Sequence, residues 1–303
     1  MKRKIIKQGV GGYTLYLPKA WVMKNNLDAG DELDVREEQG NLIIGGKGNL
    51  KKRKTISVEH LDSGLLRSLL ASYYRSGYAE VELDFQEDYS FESLKRIIDT
   101  FIGYEIIHQD RRKCLIRDIM KEDADDSAEK LVNRLFQSVN LLYDLLKENI
   151  KARRESFKNL SEVRQNVIRL RYYAQRRTII EGREISYELY SLALSVEKIG
   201  SIYARILGPN TKLSPKSIPL LEKYHRYFTD LHKWYLSEDP QNNAILVALR
   251  SEINKDFESG TFDTLILSRK YDPIAVMSCA RTLHFLYSMA TRIQAIHSLR
   301  TKH

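Results

Sequence analysis

Gly12-Tyr13-Thr14-Leu15-Tyr16-Leu17-Pro18-Lys19-Ala20-Trp21-Val22-Met23-Lys24 compresses a strand, a turn and a helix into thirteen residues. Polar and apolar positions alternate over 14–17, the period of a half-buried strand. Pro18 suits the first turn of a helix, where its missing N–H is no loss, and 20–24 extends that helix until Asn25-Asn26 stops it. Working outward, Lys4-Ile5-Ile6 reads as a strand before this block, with Glu32-Leu33-Asp34-Val35 and Leu42-Ile43-Ile44 as two strands after it. Gly30-Asp31 and Gln39-Gly40-Asn41 supply the turns. The β-β-α-β-β order fits within fewer than fifty residues, too little chain to close a core unaided, so this arm is expected to dimerise. Gly9-Val10-Gly11-Gly12 has the composition of a phosphate-cradling loop, but such a loop opens into a helix and this one continues as strand. Its glycines are read as letting the backbone turn tightly or approach another chain.

The charge is concentrated in the same arm. Of a formal net charge of +9, residues 1–54 carry +6, with twelve Lys and Arg against six Asp and Glu. Lys2, Arg3, Lys4, Lys7, Lys19 and Lys24 fall within the first 24 residues, which contain no acid, whereas Asp28, Asp31, Glu32, Asp34, Glu37 and Glu38 follow together. A basic stretch of this kind attracts polyanions because neutralised phosphates release their counterions, which makes nucleic acid the first candidate partner and an anionic membrane surface the second.

Residues 45–54 read as a linker. Beyond it a small α+β unit is expected over 55–120: strand 55–58, helix 61–76, strand 80–85, helix 91–101, then strands 105–108 and 114–117. Val81, Leu83 and Phe85 alternate with Glu80, Glu82 and Asp84, as in a sheet with one wet face. After the acidic run 122–127 everything reads as helix. Val132, Phe136, Val139, Tyr143, Leu146 and Ile150 form one apolar stripe; Leu192, Val196, Ile199, Tyr203 and Ile206 form a second; Val276, Cys279, Leu283, Leu286, Ala290 and Ile293 form a third. Breaks at Ser156, Gly182, Gly208-Pro209, Asp239-Pro240 and Asp272-Pro273 divide 125–303 into six helices, three on each side of 208–210.

Composition sets further bounds. With 303 residues, 43% hydrophobic and only 6 Pro, the chain is globular and too long for one compact core. No apolar run approaches about 18 residues and Met1-Lys2-Arg3-Lys4 leads into no apolar segment, so neither membrane insertion nor a secretory leader is expected, and the cytoplasm is the expected location. Cys114 and Cys279 show no paired spacing and are read as buried thiols. No GxSxG elbow or HExxH pair occurs, so no enzyme and no cofactor is expected. His225 and His232 lie two helical turns apart, about 10 Å, too far to chelate one ion with a distant His284, and are read as packed against aromatic rings.

Two resemblances follow. Lys4-Ile5-Ile6-Lys7, the Leu17-Pro18-Lys19-Ala20-Trp21 block, Leu27-Asp28-Ala29-Gly30-Asp31-Glu32-Leu33 and Leu42-Ile43-Ile44 resemble the SpoVT/AbrB swapped-hairpin domain over residues 2 to 48. The resemblance implies a DNA-binding domain at 1–48 that folds as an intertwined homodimer. Its DNA-binding residues are expected among Lys2, Arg3, Lys4, Lys7, Lys19 and Lys24. Val22, Met23 and Thr14 stand where members of that family often carry arginines, which favours phosphate contact over base readout.

Leu194-Ser195-Val196-Glu197-Lys198-Ile199-Gly200-Ser201-Ile202 is similar to a block of PhoU, the phosphate-uptake regulator. The resemblance implies a PhoU-like domain over 125–303, a pair of three-helix bundles. In that family, acidic pairs one helical turn apart hold metal. Here Glu197 alone is retained: Ser201 replaces the second acid, and neither 165–169 nor 284–288 supplies a carboxylate. No metal is expected, and Glu197 is assigned to a salt bridge. Taken together, the chain resembles fused archaeal regulators. It is expected to be a DNA-binding transcriptional regulator linked to phosphate homeostasis. The alternative is an adaptor whose head only dimerises and whose body docks a phosphate transporter or sensor kinase. An antitoxin built on the AbrB-like fold is a third reading, set back by the length of the chain.

Overall fold

The glycines of 9–12 do turn the chain. Strand β1 (Ile5–Gln8) pairs antiparallel with β2 (Gly12–Leu15), and the connecting Gly9 and Gly11 have φ of 59° and 103°, the left-handed region that a side chain disfavours. The computed structural model describes residues 3–9, 11–24, 27–38, 41–45, 52–59, 62–120, 126–152, 158–206, 213–237 and 244–300. These fall into two compact units, Met1–Arg53 and Lys54–His303.

In the first unit, helix α1 (Lys19–Lys24) starts on Pro18, whose carbonyl accepts from the N–H groups of Trp21 and Val22. Leu27 N–H closes its far end on Val22 O at 3.1 Å. Asp31 then accepts from Asp28 N–H at 2.7 Å across the turn that contains Gly30. A second hairpin, β3 (Asp34–Glu38) with β4 (Asn41–Gly45), completes the unit, and the two hairpins form separate two-stranded sheets.

The second unit opens with a four-stranded sheet ordered β5-β6-β8-β7, built from β5 (Arg53–Val58), β6 (Glu80–Phe85), β7 (Tyr104–Gln109) and β8 (Lys113–Asp118). Helices α2 (Ser63–Arg75) and α3 (Phe91–Ile98) are capped by Asp62 and Ser90, whose side chains accept from N–H groups three residues on. Val81, Leu83 and Phe85 are buried as the alternation requires. Glu80 is a correction to the wet face: it is buried and accepts from Arg117, its cross-strand partner, at 2.7 Å. The strand's first residue sits where the sheet is covered, and the arginine opposite makes burial tolerable. The expected linker is likewise shorter at both ends, because Gly45 still belongs to β4 and Arg53 already to β5.

Helices α4 (Ala128–Ala152), α5 (Lys158–Glu181) and α6 (Ser186–Ile206) form the first helical set, and all three apolar stripes of the helical region are buried to the last residue. Gly200 lets the first set close. A Cβ there would lie 3.0 Å from Val139 and 3.3 Å from Val167, so even an alanine would press on the side chains where α4 and α5 approach α6. The second set comprises α7 (Ile218–Leu236), α8 (Ala244–Ser259), α9 (Thr261–Leu267) and α10 (Pro273–Arg300). Gly260, at φ 58°, separates α8 from α9, a break not among those expected, so this half has four helices among the described residues where three were expected. The breaks at Gly182 and Asp272-Pro273 occur as expected; those at Ser156, Gly208-Pro209 and Asp239-Pro240 lie outside the described residues. Asp272 fastens the start of α10, accepting from Ser214 N–H, Ser214 O–H and Ser217 O–H at 2.7–2.9 Å.

The α+β layer and the helices belong to one compact unit, Lys54–His303. Arg176 on α5 ties the two layers. Its guanidinium donates to the carbonyls of Tyr74 at 2.5 Å and Tyr78 at 3.0 Å, and to the Asp118 carboxylate at 2.6 Å. Among the described residues, no helix is long and apolar enough to cross a membrane.

Candidate functional site

The basic residues of the first unit are all exposed where they are described. Lys2 lies outside the described residues. Arg3 and Lys4 precede β1, Lys7 sits within it, and Lys19 and Lys24 are the first and last residues of α1. Secondary structure does not gather them onto one face. Cross-strand partners share a face, so Lys7 lies beside Tyr13 with Ile5 and Leu15, whereas Ile6, Gln8 and Thr14 occupy the other side. The Thr14 hydroxyl donates to Gln8 Oε1 at 3.0 Å on that second side. Continuing the two-residue period backward sets Arg3 with Lys7 and Lys4 against them. On α1, five residues turn Lys24 about 140° away from Lys19 and about 7.5 Å along the axis. Along the first strand and its approach, Arg3 and Lys7 therefore fall on one side and Lys4 on the other.

The same unit leaves its apolar side chains bare. Leu27 is its one buried hydrophobic residue among those described. Ile5, Tyr13, Tyr16, Met23 and Leu42 are each roughly two-thirds exposed (64–68%). Two isolated hairpins with a solvated apolar surface are marginal in water, since a stable sheet needs three or more strands over a covered face.

In the second unit, Glu197 makes the expected ion pair. Its carboxylate lies 3.7 Å from Arg171 Nε and 3.8 Å from Lys198 Nζ, and it accepts from the Ser201 hydroxyl at 2.6 Å. Around it opens a cleft of about 430 Å³. Arg67 on α2, Arg164 and Arg171 on α5, Lys198 and Arg205 on α6 and Arg281 on α10 line it, against the single acid Glu197. Sequence reading missed this cluster because it draws on four helices. The legible trace was the spacing: Arg164 and Arg171 are seven apart, as are Lys198 and Arg205, which places each pair on one helix face.

The histidines are packed against aromatic rings. His225 stacks on Tyr143 with ring centroids 3.6 Å apart and its Nδ1 lies 3.2 Å from the Tyr203 hydroxyl. Burial, then the charge of Lys147, lowers its pKa to about 4, so the ring is neutral at physiological pH. Glu222, three residues before it, is paired with Lys147. His232 stacks on Phe136 and hydrogen-bonds Asn133 at 2.7 Å, and burial lowers its pKa as well. Cys114 and Cys279 are free and buried, and burial raises both thiols, Cys114 to about 11. No group of three or more His, Cys, Asp or Glu suited to a metal ion occurs among the described residues.

Residues 13–56 match the family described as antidote-toxin recognition MazE, bacterial antitoxin. The N-terminal unit is thus similar to a MazE/AbrB-like, antitoxin-type domain, a type that points to a DNA-binding or antitoxin-type regulator. The match runs from β2 to the first residues of β5 and leaves the helical body unassigned. No curated protein and no solved structure matches the chain.

Proposed function

We propose that this protein is a DNA-binding regulator of the cytoplasm whose MazE/AbrB-like head works as a homodimer gripping duplex phosphates. Its helical body would receive the regulating signal. The observation that carries the reading is the match of 13–56 on an arm whose first 24 residues hold six cations and no acid. The uncovered apolar side chains of both hairpins support dimerisation, because a second copy interleaving its strands would bury them. The PhoU-like block 194–202 supports phosphate status as the signal.

Fluorescence anisotropy of a labelled duplex from upstream of the protein's own gene tests the proposal. A dimer making about six phosphate contacts loses roughly a thousandfold in affinity between 50 and 200 mM salt. Because the two-residue period of β1, continued back along the chain, sets Lys4 opposite Lys7, their replacement by Ala is expected to have unequal effects, with Arg3→Ala following Lys7→Ala. Binding that ignores salt, or equal losses from Lys4→Ala and Lys7→Ala, refutes this interface.

The family description favours a second reading, an antitoxin-type regulator that occupies a small toxin protein. The adaptor reading, in which the head only dimerises and the body docks a phosphate transporter or sensor kinase, shares the dimer but not the DNA affinity. The same titration separates it from the first. A toxin partner instead shows as tightened DNA binding in its presence.

A further inference from the structure

We infer that the basic cleft of the helical body is a binding site for a small polyanion carrying two or more linked phosphoryl groups. The site is distinct from the head and does not rest on its DNA reading. Six cationic side chains line the cleft and one carboxylate opposes them. Glu197 is already held by Arg171, Lys198 and Ser201, while Arg67, Arg164, Arg205 and Arg281 have no ion-pair partner among the described residues. Like charges gathered on facing helices repel each other and are destabilising without a counter-charge. The structure thus holds an excess of cations where folding alone has no use for them.

A second observation points to an absent acceptor. Arg171 is nine-tenths buried, with 9% of its surface exposed, and lines the cleft. Its Nε–H is buried without a hydrogen-bond partner, since the Glu197 oxygen at 3.7 Å is too distant to accept. A buried donor left unsatisfied is costly, and an anionic oxygen reaching into the cleft would satisfy it. The rest of the Arg171 side chain is fixed, with Nη1 donating to Gln175 at 3.0 Å and the guanidinium 3.7 Å over the Tyr172 ring.

The chemical class follows from charge density and shape. At about 430 Å³ the cleft falls within the usual range of small-ligand sites. Guanidinium groups match phosphoryl oxygens in pairs, and five of the six cations here are arginines. A linked di- or triphosphate concentrates enough negative charge to engage several of them at once. An aromatic base finds little to stack on, because Arg171 covers the Tyr172 ring and Phe101 meets it edge-on at 5.3 Å. The phosphoryl chain is therefore the recognised element, whether free or as the tail of a nucleotide.

Isothermal titration calorimetry on the full chain, with pyrophosphate and tripolyphosphate as probes, tests the site. Saturable binding by both is expected, with Arg205→Gln and Arg281→Gln each weakening it about tenfold, the loss of one charge-assisted hydrogen bond. Both residues are exposed and have no ion-pair partner among the described residues, so these variants should stay folded, which thermal unfolding checks. Lys7→Ala with Lys19→Ala should bind pyrophosphate as the wild type does, which separates this site from the head. ATP binding equal to tripolyphosphate assigns recognition to a free phosphate chain, and tighter ATP binding assigns it to a nucleotide tail. No heat with either probe, unchanged affinity in both arginine variants, citrate binding as tightly as pyrophosphate, or displacement of pyrophosphate by short duplex DNA from the head-variant protein overturns the assignment.

Discussion

Replacing Arg176 by Met should cost the second unit about 3 kcal/mol and leave its fold recognisable. Arg176 is 4% exposed at its side chain and neutralises Asp118 while satisfying the carbonyls of Tyr74 and Tyr78. Met keeps the length and apolar stem but supplies none of the donors. Removing one partner of a buried pair costs about 3–5 kcal/mol, because the other is left uncompensated. Asp118 retains 19% exposure and regains some hydration, which puts the expectation at the lower end of that range. For a unit of this size each kcal/mol lowers Tm by about 2–4 °C, so a fall of about 10 °C follows. Asp118→Asn should be milder, near 1 kcal/mol, since an acceptor remains beside a guanidinium still held by two carbonyls. Urea unfolding followed by circular dichroism, on the two single variants and the double, gives the coupling directly. A loss below 1 kcal/mol in Arg176→Met, or additive effects in the double variant, would refute the view that this arginine fastens the sheet layer to α5.

Other sites have equally definite expectations. Gly200→Val should destabilise by about 2–3 kcal/mol in the same assay, because its branches enter space already closed by Val139, Val167 and Leu142. His225 is neutral in the folded protein, its pKa lowered to about 4 by burial and then by Lys147, against about 6.5 when unfolded. The unfolded chain therefore takes up the proton first, and stability falls as pH drops from 6.5 towards 4, by up to about 3 kcal/mol. His225→Phe should flatten that part of the urea-midpoint profile. Asp272→Ala should cost about 2 kcal/mol by releasing three donors on Ser214 and Ser217, read as a lower Tm. In the head, Ile5→Glu or Leu42→Glu should convert a sedimenting dimer to monomer without changing the far-ultraviolet helical signal of the body; a dimer that persists in both removes the hairpins from the interface.

What the sequence disclosed and what it withheld divide along one physical line. Strands β5 to β8, helices α2 and α3 and the three long stripes were legible because each is set by a local period that a burial pattern must obey. Glu80 was misread for a related reason: period two gives the face of a residue, but not whether an arginine across the ladder will cover that face. Gly260 was passed over because its break rests on one left-handed residue with no proline beside it. The cleft was the hardest to see, since Arg67, Arg164, Lys198 and Arg281 become neighbours only when α2, α5, α6 and α10 pack. Yet the division of the head's cations was open to the same arithmetic that found the strands. Lys4 and Lys7 are three apart on an extended chain, and an odd spacing on a strand always parts two side chains. Clustering in sequence raised the local charge; only parity and helix angle decide where that charge points. A basic run therefore carries evidence for a polyanion partner, and the geometry of the contact has to be argued one side chain at a time.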